Sequence, residues 1–314
     1  MFYKNLNKML TIFSCPKPFR GKIEIIQRNA IKSWTLLNPR PEIILIGNEE
    51  GTAEICKEFG LRHIPEVERN EYGTPLVKSI FEIGQKTASN PLVCYVNADI
   101  ILLSDFIKAI QKVRQFFTKE NFFIAGRRWN IKVNENLDFN LPDWRSKLKN
   151  FVLSNGILGS HGAIDYFVFP KKSLLNIPPL AIGRCNWDNW LIYRAIVLGL
   201  SVIDCSFQIM AIHQNHNYSH TPFNKKALNS VISGPEVKRN QKLVGKGRFY
   251  TLLDANYVFT PSGIKKPSFK RKIQKNLLKF KIFSWYILTD RLYPFSYPVV
   301  FFVKGIKFFI SKFK

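Results

Sequence analysis

The sequence predicts an α/β fold with a central, mostly parallel sheet flanked by helices, followed by a basic amphipathic helical tail. Apolar runs of strand length alternate with helical patterns through the first half of the chain, which is typical of α/β proteins. These runs are apolar on both faces, as strands are when helices cover both sides of a parallel sheet. From about residue 264 the composition shifts to lysine and phenylalanine. We therefore expect one domain over residues 1–263 and a tail over 264–314.

The predicted elements of the first half follow from hydrophobic periodicity and from the residues that begin or end helices. Strands are expected over residues 9–15, 41–47, 61–65, 91–102 and 121–126. Helices are expected over residues 22–37, 51–60, 74–89 and 104–117. Gly60 should end the second helix, Thr74 and Pro75 should open the third, and Ser104 should cap the fourth.

The second half is less regular. We expect a strand over 162–170, a helix from an Asn186 cap to Gly199, and strands with a polar loop over 201–222. Asp165 would lie inside the first of these strands, where a buried charge needs a partner. Arg127 and Arg128 are candidates for that partner, so a structural and a functional role of Asp165 both stay open.

Composition and charge narrow the class of protein and of partner. The chain has 314 residues, 46% of them hydrophobic, which is enough for a large folded core. Five scattered cysteines indicate reduced thiols in a cytoplasmic protein rather than a disulfide framework or a thiolate zinc site. With no apolar signal core and no run of about eighteen apolar residues, neither a secretion signal nor a membrane span is expected. The net charge of +25 requires an anionic partner or surface, such as nucleic acid, nucleotide phosphates or acidic lipid.

A polar pair interrupts the predicted strand at 91–102. Asn97 and Asp99 stand in the run CYVNADIIL, where an apolar strand should end. In parallel α/β sheets, ligands bind at the carboxyl ends of the strands. Carboxylate and amide oxygens suit Mg²⁺ or Mn²⁺, which take further ligands from substrate phosphates. The plainer alternative is turn chemistry or a helix cap, which uses the same residue types.

Three of the five histidines fall within the run HQNHNYSH, at His213, His216 and His220. Their spacing could form a zinc site with imidazole ligands, but no His-Glu-x-x-His is present, so a zinc hydrolase is poorly supported. Two alternatives stay open. The run is a polar surface loop, or one of its histidines completes the metal site that Asp99 begins.

The run CNWDNWL places Asp188 in the first turn of the predicted helix. There a carboxylate complements the helix macrodipole, which is the structural interpretation. In the functional interpretation, Trp187 and Trp190 offer a sugar-stacking face and raise the basicity of Asp188 by removing water from it.

The tail interleaves lysine with phenylalanine, isoleucine, leucine, tryptophan and tyrosine. Basic amphipathic segments of this kind lie in the headgroup plane and favour anionic lipid. A C-terminal helix packed on the domain, with a solvated basic face, is the alternative. Binding to nucleic acid would rest on charge alone and is not expected.

Together these features resemble a glycosyltransferase of the GT-A type, in the nucleotide-diphospho-sugar transferase superfamily. The runs at 41–77, 94–102 and 211–220 also resemble a group of largely uncharacterised bacterial glycosyltransferase-like proteins. The resemblance covers roughly residues 8–260 and leaves the tail outside. It implies a GT-A-like, Rossmann-like domain whose nucleotide-binding half is 1–130 and whose acceptor half is 131–263.

The resemblance also implies roles on the donor side of the site. Asp99 would hold Mn²⁺ or Mg²⁺ on the donor diphosphate, helped directly or through water by Asn97. His213 or His216 would complete the metal shell. Ser14 and Asn48 would contact the nucleoside, and Lys78 would approach its phosphates. Asn97 departs from the family, which usually has an aspartate at this position, and it removes one charge from the metal site.

On the acceptor side, Asp188 would be the base that deprotonates the acceptor hydroxyl if the transfer inverts the anomeric centre. The predicted function is therefore a metal-dependent transfer of a sugar from a nucleotide-diphospho-sugar to a glycan or lipid-linked acceptor. Such an enzyme would be cytoplasmic, with a peripheral contact to anionic lipid at the inner face of the membrane.

Two other functions remain open. A nucleotidyltransferase that makes a nucleotide sugar would share the sheet and the acidic metal site, but it should carry a glycine-rich phosphate loop. The run SCPKPFRG offers Lys17 and Arg20 with a single glycine. A non-catalytic protein that binds the membrane surface is the other alternative, and Asn97 keeps it open.

Overall fold

The computed structural model describes residues 9–133, 135–215, 234–245 and 247–291, and for 281–291 it describes the backbone alone. The chain divides into two compact units, residues 1–266 and residues 267–314. The first unit contains the sheet and the candidate site. The second contains the tail helix.

The elements of the first unit are named in chain order. Its strands are β1 Leu10–Ser14, β2 Glu42–Ile46, β3 Arg62–Ile64, β4 Leu92–Val96, β5 Ile100–Ile101, β6 Phe122–Ile131, β7 Ile157–Leu158, β8 Ile164–Pro170, β9 Ser201–Asp204, β10 Ala211–Gln214, β11 Tyr257–Thr260 and β12 Gly263–Lys265. Its helices are α1 Gly21–Thr35, α2 Thr52–Phe59, α3 Val77–Thr87, α4 Ser104–Phe116, α5 Trp144–Asn155, α6 Trp187–Val197 and α7 Pro235–Val244, with a short 3₁₀ helix at Leu252–Asp254.

The main sheet is mixed, and most of its strands run in one direction. Its order is β12-β11-β9-β6-β8-β4-β1-β2-β3. Strands β3, β2, β1 and β4 are parallel, whereas β8 runs antiparallel to both β4 and β6. The strands β6, β9 and β11 are parallel again, so within this order β8 and β12 oppose the other seven. The predicted α/β fold with a mostly parallel sheet is therefore confirmed.

Helices cover both faces of the sheet because the central strands are apolar on both faces. Every residue of β1 and β4 is buried. Alternate residues of β1 belong to different cores, with Ile12 on one face and Phe13 on the other. Trp34 of α1 belongs to the first core, and Phe81 of α3 and Leu191 of α6 belong to the second. Both faces exclude water, so a ligand is expected at an edge of the sheet.

Several predicted boundaries are confirmed and others are wrong. Gly60 ends α2 in the left-handed conformation (φ 63°) that glycine adopts without strain. Helix α3 begins at Val77 and not at Thr74, because Pro75 and Leu76 form isolated bridges with other segments. Ser104 is the first residue of α4 rather than its cap.

Two further predictions on local structure differ in detail from the structure. The single strand expected over 91–102 is divided into β4 and β5, with a turn between them. Asn186 is the N-cap residue of α6 as predicted, but its φ is 82° and its side chain makes no capping hydrogen bond.

The tail helix, α8, covers Phe269–Arg291 and belongs to the second unit. Phe269, Ile273 and Leu277 follow one another at intervals of four residues, which places them along one side of the helix. They are 78%, 44% and 44% exposed. None of the helices in the described part of the chain has the length and apolar character needed to cross a membrane.

Gly84 gives a test of the packing between α3 and the sheet. A Cβ at this position would lie 2.5 Å from Cδ2 of Phe13, whose ring is fully buried between Phe81 and Tyr95. We expect Gly84→Ala to lower the free energy of unfolding by about 1–3 kcal/mol, as overpacking of a core does. Helix propensity alone predicts the opposite sign, because alanine inside a helix is more stable than glycine by about 1 kcal/mol.

Urea denaturation of wild type and variant measures this change. The exposed Glu82→Ala, on the same helix, is the control, and its effect should stay within about 0.5 kcal/mol. A Gly84→Ala variant as stable as the wild type would show that the Phe13 ring moves aside.

Candidate active site

The candidate site lies where the chain leaves the sheet between β4 and β5. Strand β4 ends at Val96, and the Asn97 backbone N–H then donates to the carbonyl oxygen of Asp165 on β8, at 3.0 Å. The Ile100 N–H donates to the carbonyl oxygen of Asn97 at 3.1 Å, which closes a turn. This turn sits at the carboxyl end of a central strand and carries Asp99.

Asp99 and His213 come together although 114 positions separate them. Strand β5 pairs antiparallel with β10, and this register sets His213 opposite Ile100. The Asp99 Oδ2 and His213 Nε2 atoms are 3.6 Å apart, and the two side chains are only 13% and 7% exposed. This spacing confirms that the strand pairing brings the predicted aspartate and one predicted histidine into one place.

These two groups fit a divalent metal ion by their chemistry, because a carboxylate oxygen and an imidazole nitrogen are both ligands of Mn²⁺. Across the residues that the structure describes, no group of three or more histidine, cysteine, aspartate or glutamate side chains could hold a metal ion. Asp99 and His213 would thus be two ligands of a shell that a donor phosphate or further residues complete. His216 and His220 lie outside the described residues.

The Asp99 turn is held from behind by fully buried polar side chains. Gln214 donates from its backbone N–H and from Nε2 to the Asp99 carbonyl oxygen, at 3.4 and 3.2 Å. The same Nε2 donates to the Ile26 carbonyl oxygen of α1 at 2.7 Å. Trp34 of α1 donates from Nε1 to the carbonyl oxygen of Ile100 at 2.8 Å. Helix α1 and strand β10 therefore fix the backbone on which Asp99 stands.

Asn97 belongs to a hydrogen-bonded chain of four side chains. The Tyr95 hydroxyl donates to Asn97 Oδ1 at 2.8 Å, and Asn97 Nδ2 donates to Asp165 Oδ1 at 2.7 Å. Arg128 Nη1 donates to Asp165 Oδ2 at 2.7 Å, as an ion pair. Arg128 is therefore the partner that the sequence left open for Asp165. The Arg127 backbone N–H instead donates to Ser206 Oγ.

Lys17 joins this cluster from the loop after β1. Gln27 of α1, which is 2% exposed, accepts from the Lys17 N–H at 2.7 Å and donates to its carbonyl oxygen at 2.8 Å. Burial lowers the pKa of the Lys17 ammonium, and the carboxylates of Asp99 and Asp165 act in the opposite direction. Lys17 therefore interacts electrostatically with both acidic groups, and it comes from the run SCPKPFRG in which the sequence already offered it as a basic residue for phosphate.

Asp188 has a raised pKa beside the same cluster. It lies in the first turn of α6, half-buried, and its Oδ1 accepts from the Asn189 N–H at 2.9 Å. Burial raises the pKa of the carboxyl group from 3.8 to about 7, and the negative charge of Asp165 raises it further. The Asn189 N–H and the Arg128 charge act against this increase. Asp188 therefore titrates near neutral pH, as a general base should.

The tryptophans beside Asp188 serve the core. Trp187 and Trp190 are each 4% exposed, and the Trp187 ring packs edge-on against Tyr95 with 5.5 Å between the centroids. The prediction of an open sugar-stacking face is therefore wrong, because both rings fill the space between α6 and the sheet. The raised pKa of Asp188 has the direction that the functional interpretation expects, and burial is its largest cause.

The three residues predicted to meet the nucleotide have different surroundings. Ser14 is fully buried and donates from Oγ to the Val96 carbonyl oxygen at 2.6 Å, so its side chain joins β1 to β4. A contact between this side chain and a nucleoside does not fit that placement. Asn48 is exposed directly after β2, and Lys78 is partly buried in the first turn of α3. Both are at the edge of the sheet where the parallel strands end.

Helix α7 ties two loops together beside the site. Arg184 donates from Nε and Nη2 to Glu236 Oε2, both at 2.7 Å, and Asn70 Nδ2 donates to Glu236 Oε1 at 2.7 Å. Arg184 also acts on Lys17, lowering its pKa. The partners come from three distant parts of the chain, so the sequence offered no spacing from which to predict this group.

Comparisons with known proteins give structural similarity alone. No family model and no curated protein matches the sequence. Among solved structures, a mannosyltransferase from Pyrobaculum calidifontis in complex with GDP-Man and Mn²⁺ is 11% identical, with a TM-score of 0.43 over 73% of this chain. The match spans 61% of that protein, which is less than two thirds of its length.

Two further structures have similar scores. Glucosyl-3-phosphoglycerate synthase from Mycobacterium tuberculosis is 13% identical, covers 76% of this chain and 83% of its own, and has a TM-score of 0.42. Mannosyl-3-phosphoglycerate synthase from Rubrobacter xylanophilus is 17% identical, covers 83% and 84%, and also has a TM-score of 0.42. The chain is thus similar to glycosyltransferase structures, and its function is argued below from its own residues.

The raised pKa of Asp188 predicts how stability depends on pH. The folded state binds this proton more tightly than the unfolded chain does, so the contribution is fully present below about pH 4 and is lost as pH rises through about 7. Asp188→Asn removes this pH-dependent contribution to stability. The midpoint of the variant minus that of the wild type should therefore increase between pH 4 and 7 and stay constant above, as thermal unfolding would measure.

The exposed Asp143→Asn is the matched control for this measurement. Its midpoint difference from the wild type should not follow the same rise through neutral pH. A difference for Asp188→Asn that is independent of pH would show that the Asp188 carboxyl group ionises as readily in the folded protein as in the unfolded chain.

Proposed function

We propose that this chain is a glycosyltransferase that moves a sugar from a nucleotide-diphospho-sugar to the hydroxyl group of a glycan or lipid-linked acceptor. One observation carries the proposal. A carboxylate–imidazole pair, Asp99 with His213, shares one edge of the sheet with Lys17 and with a carboxyl group, Asp188, whose pKa is about 7. The electrostatic effect of Asp165 on both Lys17 and Asp188 supports treating these groups as one cluster.

The donor side of the proposed site carries the charge that a diphosphate needs. Asp99 and His213 would hold Mn²⁺ or Mg²⁺, which, when bound, neutralises negative charge on the leaving nucleoside diphosphate. Lys17 would add a second positive charge, held in place by Gln27. Lys78 would approach the phosphates from the first turn of α3, where the helix dipole also favours anions.

The nucleoside would lie at the neighbouring edge of the sheet, next to Asn48. This residue is exposed after β2, beside the ion pair that Glu49 Oε1 forms with Arg69 Nη2 at 2.7 Å. Such polar groups at a strand end can bind the base or the ribose. Asn97 would contribute to this donor side through the turn that it shares with Asp99.

On the acceptor side, Asp188 would act as the general base. Its pKa of about 7 means that a large fraction is ionised at neutral pH and that the carboxylate is still basic enough to accept a proton. The acceptor oxygen attacks the anomeric carbon, the bond from that carbon to the diphosphate breaks, and the hydroxyl proton passes to Asp188. This sequence gives inversion at the anomeric carbon.

Of the other functions, a nucleotidyltransferase would need a glycine-rich loop after the first strand to contact phosphates. In this chain the segment between β1 and α1 contains no glycine, since Gly21 is already the first residue of α1. Gln27 holds the Lys17 backbone N–H, so this N–H is not available to a phosphate. The features of this loop do not favour that alternative.

Nucleotide binding gives the first test. Thermal unfolding is measured with UDP, GDP, ADP and CDP and their sugar conjugates, with and without Mn²⁺. A ligand that binds the folded state raises the midpoint, and a concentration of 100 Kd contributes about 2.7 kcal/mol. We expect one nucleotide to raise the midpoint in the presence of Mn²⁺, and Asp99→Asn to remove the metal-dependent part.

Two variants separate binding from chemistry. Asp188→Asn should keep the nucleotide-dependent shift and lose transfer to acceptor by about 10²–10⁴-fold, the usual effect of removing a general base. The exposed Asp143→Asn should change neither quantity. A wild-type midpoint that no nucleotide shifts, with or without Mn²⁺, would rule out the transferase.

We also propose a peripheral contact between the tail and the anionic inner face of the membrane. The exposed side chains of Phe269, Ile273 and Leu277 form an apolar stripe along one side of α8. Basic residues lie between them, namely Lys270, Arg271, Lys272 and Lys275, and Lys279 follows Leu277 on the same helix. An exposed apolar stripe with dense positive charge is complementary to an acidic lipid surface.

Vesicle sedimentation tests this contact. The full chain should bind vesicles that contain phosphatidylglycerol, bind phosphatidylcholine vesicles much less, and lose binding as salt increases. Replacing Phe269, Ile273 and Leu277 with serine should weaken binding by about tenfold or more. The matched control replaces three exposed apolar residues of the first unit, Phe151, Leu153 and Leu175, with serine and should bind as the wild type does. Equal loss in both triple variants would contradict the assignment to α8.

A further inference from the structure

Asn97 is an uncharged amide in the turn that carries Asp99. In the family that the sequence resembles, this position usually carries an aspartate, whereas the turn here has one carboxylate, Asp99, and an amide, Asn97. The structure places another carboxylate next to it. Asp165 Oδ1 accepts from Asn97 Nδ2 at 2.7 Å, across the antiparallel pair of β4 and β8.

The hydrogen-bond chain leaves little freedom at position 97. Asn97 uses its oxygen to accept from the Tyr95 hydroxyl and its amide nitrogen to donate to Asp165. An aspartate at this position would keep the first bond and lose the second, because a carboxylate has no proton to donate. Two carboxylates would then face each other at hydrogen-bond distance with no donor between them. The hydrogen-bond chain is therefore complete with an amide at one of the two positions and a carboxylate at the other.

Asp165 is buried and lies within electrostatic reach of other charged groups of the candidate site. It is 5% exposed, paired with Arg128, and close enough to Lys17 and Asp188 to act on both electrostatically. Its backbone carbonyl oxygen accepts from the Asn97 N–H, so the residue binds the turn through main chain and side chain together.

We propose that Asn97 and Asp165 are an exchanged pair, in which Asp165 on β8 carries the carboxylate that the turn lacks and, through its hydrogen bond to Asn97, positions the Asn97–Asp99 turn for donor binding. This inference rests on the proposed function, because it assigns a role in holding the donor diphosphate and its metal ion. Asp165 is a positioning residue, and Asn97 is its matched amide.

The exchange can be reversed by mutation, in the double variant Asn97→Asp/Asp165→Asn. The new carboxylate at position 97 can accept from the Tyr95 hydroxyl and from the new amide at position 165. The oxygen of that amide can accept from Arg128, so every hydrogen bond of the chain keeps a donor and an acceptor. Each single variant breaks this match, since Asn97→Asp opposes two carboxylates and Asp165→Asn removes the charge.

The experiment measures the Mn²⁺ concentration that gives half of the nucleotide-dependent rise in unfolding midpoint, with UDP and with GDP. Each single variant should raise this concentration about tenfold or more, and the double variant should return to within about threefold of wild type. The control Asn176→Asp adds the same charge at an exposed loop and should leave the value unchanged. A purely structural pair would shift the ligand-free midpoint and leave the Mn²⁺ dependence unchanged.

The remaining outcomes would contradict either the exchanged pair of Asn97 and Asp165 or the proposed transferase function. Tighter Mn²⁺ dependence in Asn97→Asp alone, or a double variant as weak as Asn97→Asp, overturns the exchanged pair while the transferase stands. If Asp165→Asn alone does not fold, the comparison of Asn97→Asp with the double variant decides. A double variant that restores only the ligand-free midpoint would show that the two side chains are coupled in stability alone, which overturns the role in donor binding. A wild type that binds no nucleotide would overturn the transferase and this inference together.

Discussion

The backbone of the interrupted strand is the constraint on which the site depends. Between Val96 and Ile100 the chain leaves the sheet among mostly buried residues, where unpaired N–H and C=O groups are costly. Side chains from other elements replace the missing ladder bonds, with Ser14 donating to Val96, Gln214 to Asp99 and Trp34 to Ile100. A carboxylate can stand at the end of an apolar strand because polar groups on α1, β1 and β10 support the turn that carries it.

The same low-water environment sets the electrostatics of the cluster. Burial shifts the pKa of the Lys17 ammonium down and that of the Asp188 carboxyl group up, so both groups are less charged than they would be in water. Arg128 compensates Asp165 by a direct ion pair, and Arg184 pairs with Glu236 nearby. Under the proposed function, this balance would let the site accept a doubly charged diphosphate and still keep a base with a pKa of about 7.

Local patterns predicted the parallel half of the sheet well, because its strands are fully apolar and its helices have one apolar side. They failed where distant contacts decide the backbone. Thr74 and Pro75 would normally open a helix, but bridges to Arg69 and Ala181 extend the segment, and α3 starts at Val77. Of the two interpretations of the run around Asp188, the one that makes Trp187 and Trp190 a sugar-stacking face is wrong, because α6 turns both rings into the core.

By itself, the sequence determined the α/β class, the polar pair Asn97 and Asp99 within an apolar run, the position of Asp188 in the first turn of a helix, and the basic tail. These follow from hydrophobic period and from residue types that act within a few positions. The tertiary structure alone decided that His213 stands beside Asp99, because that contact depends on the pairing of β5 with β10. It also decided the partners of Asn97, since hydrogen bonds between side chains on separate strands leave no periodic trace in a sequence.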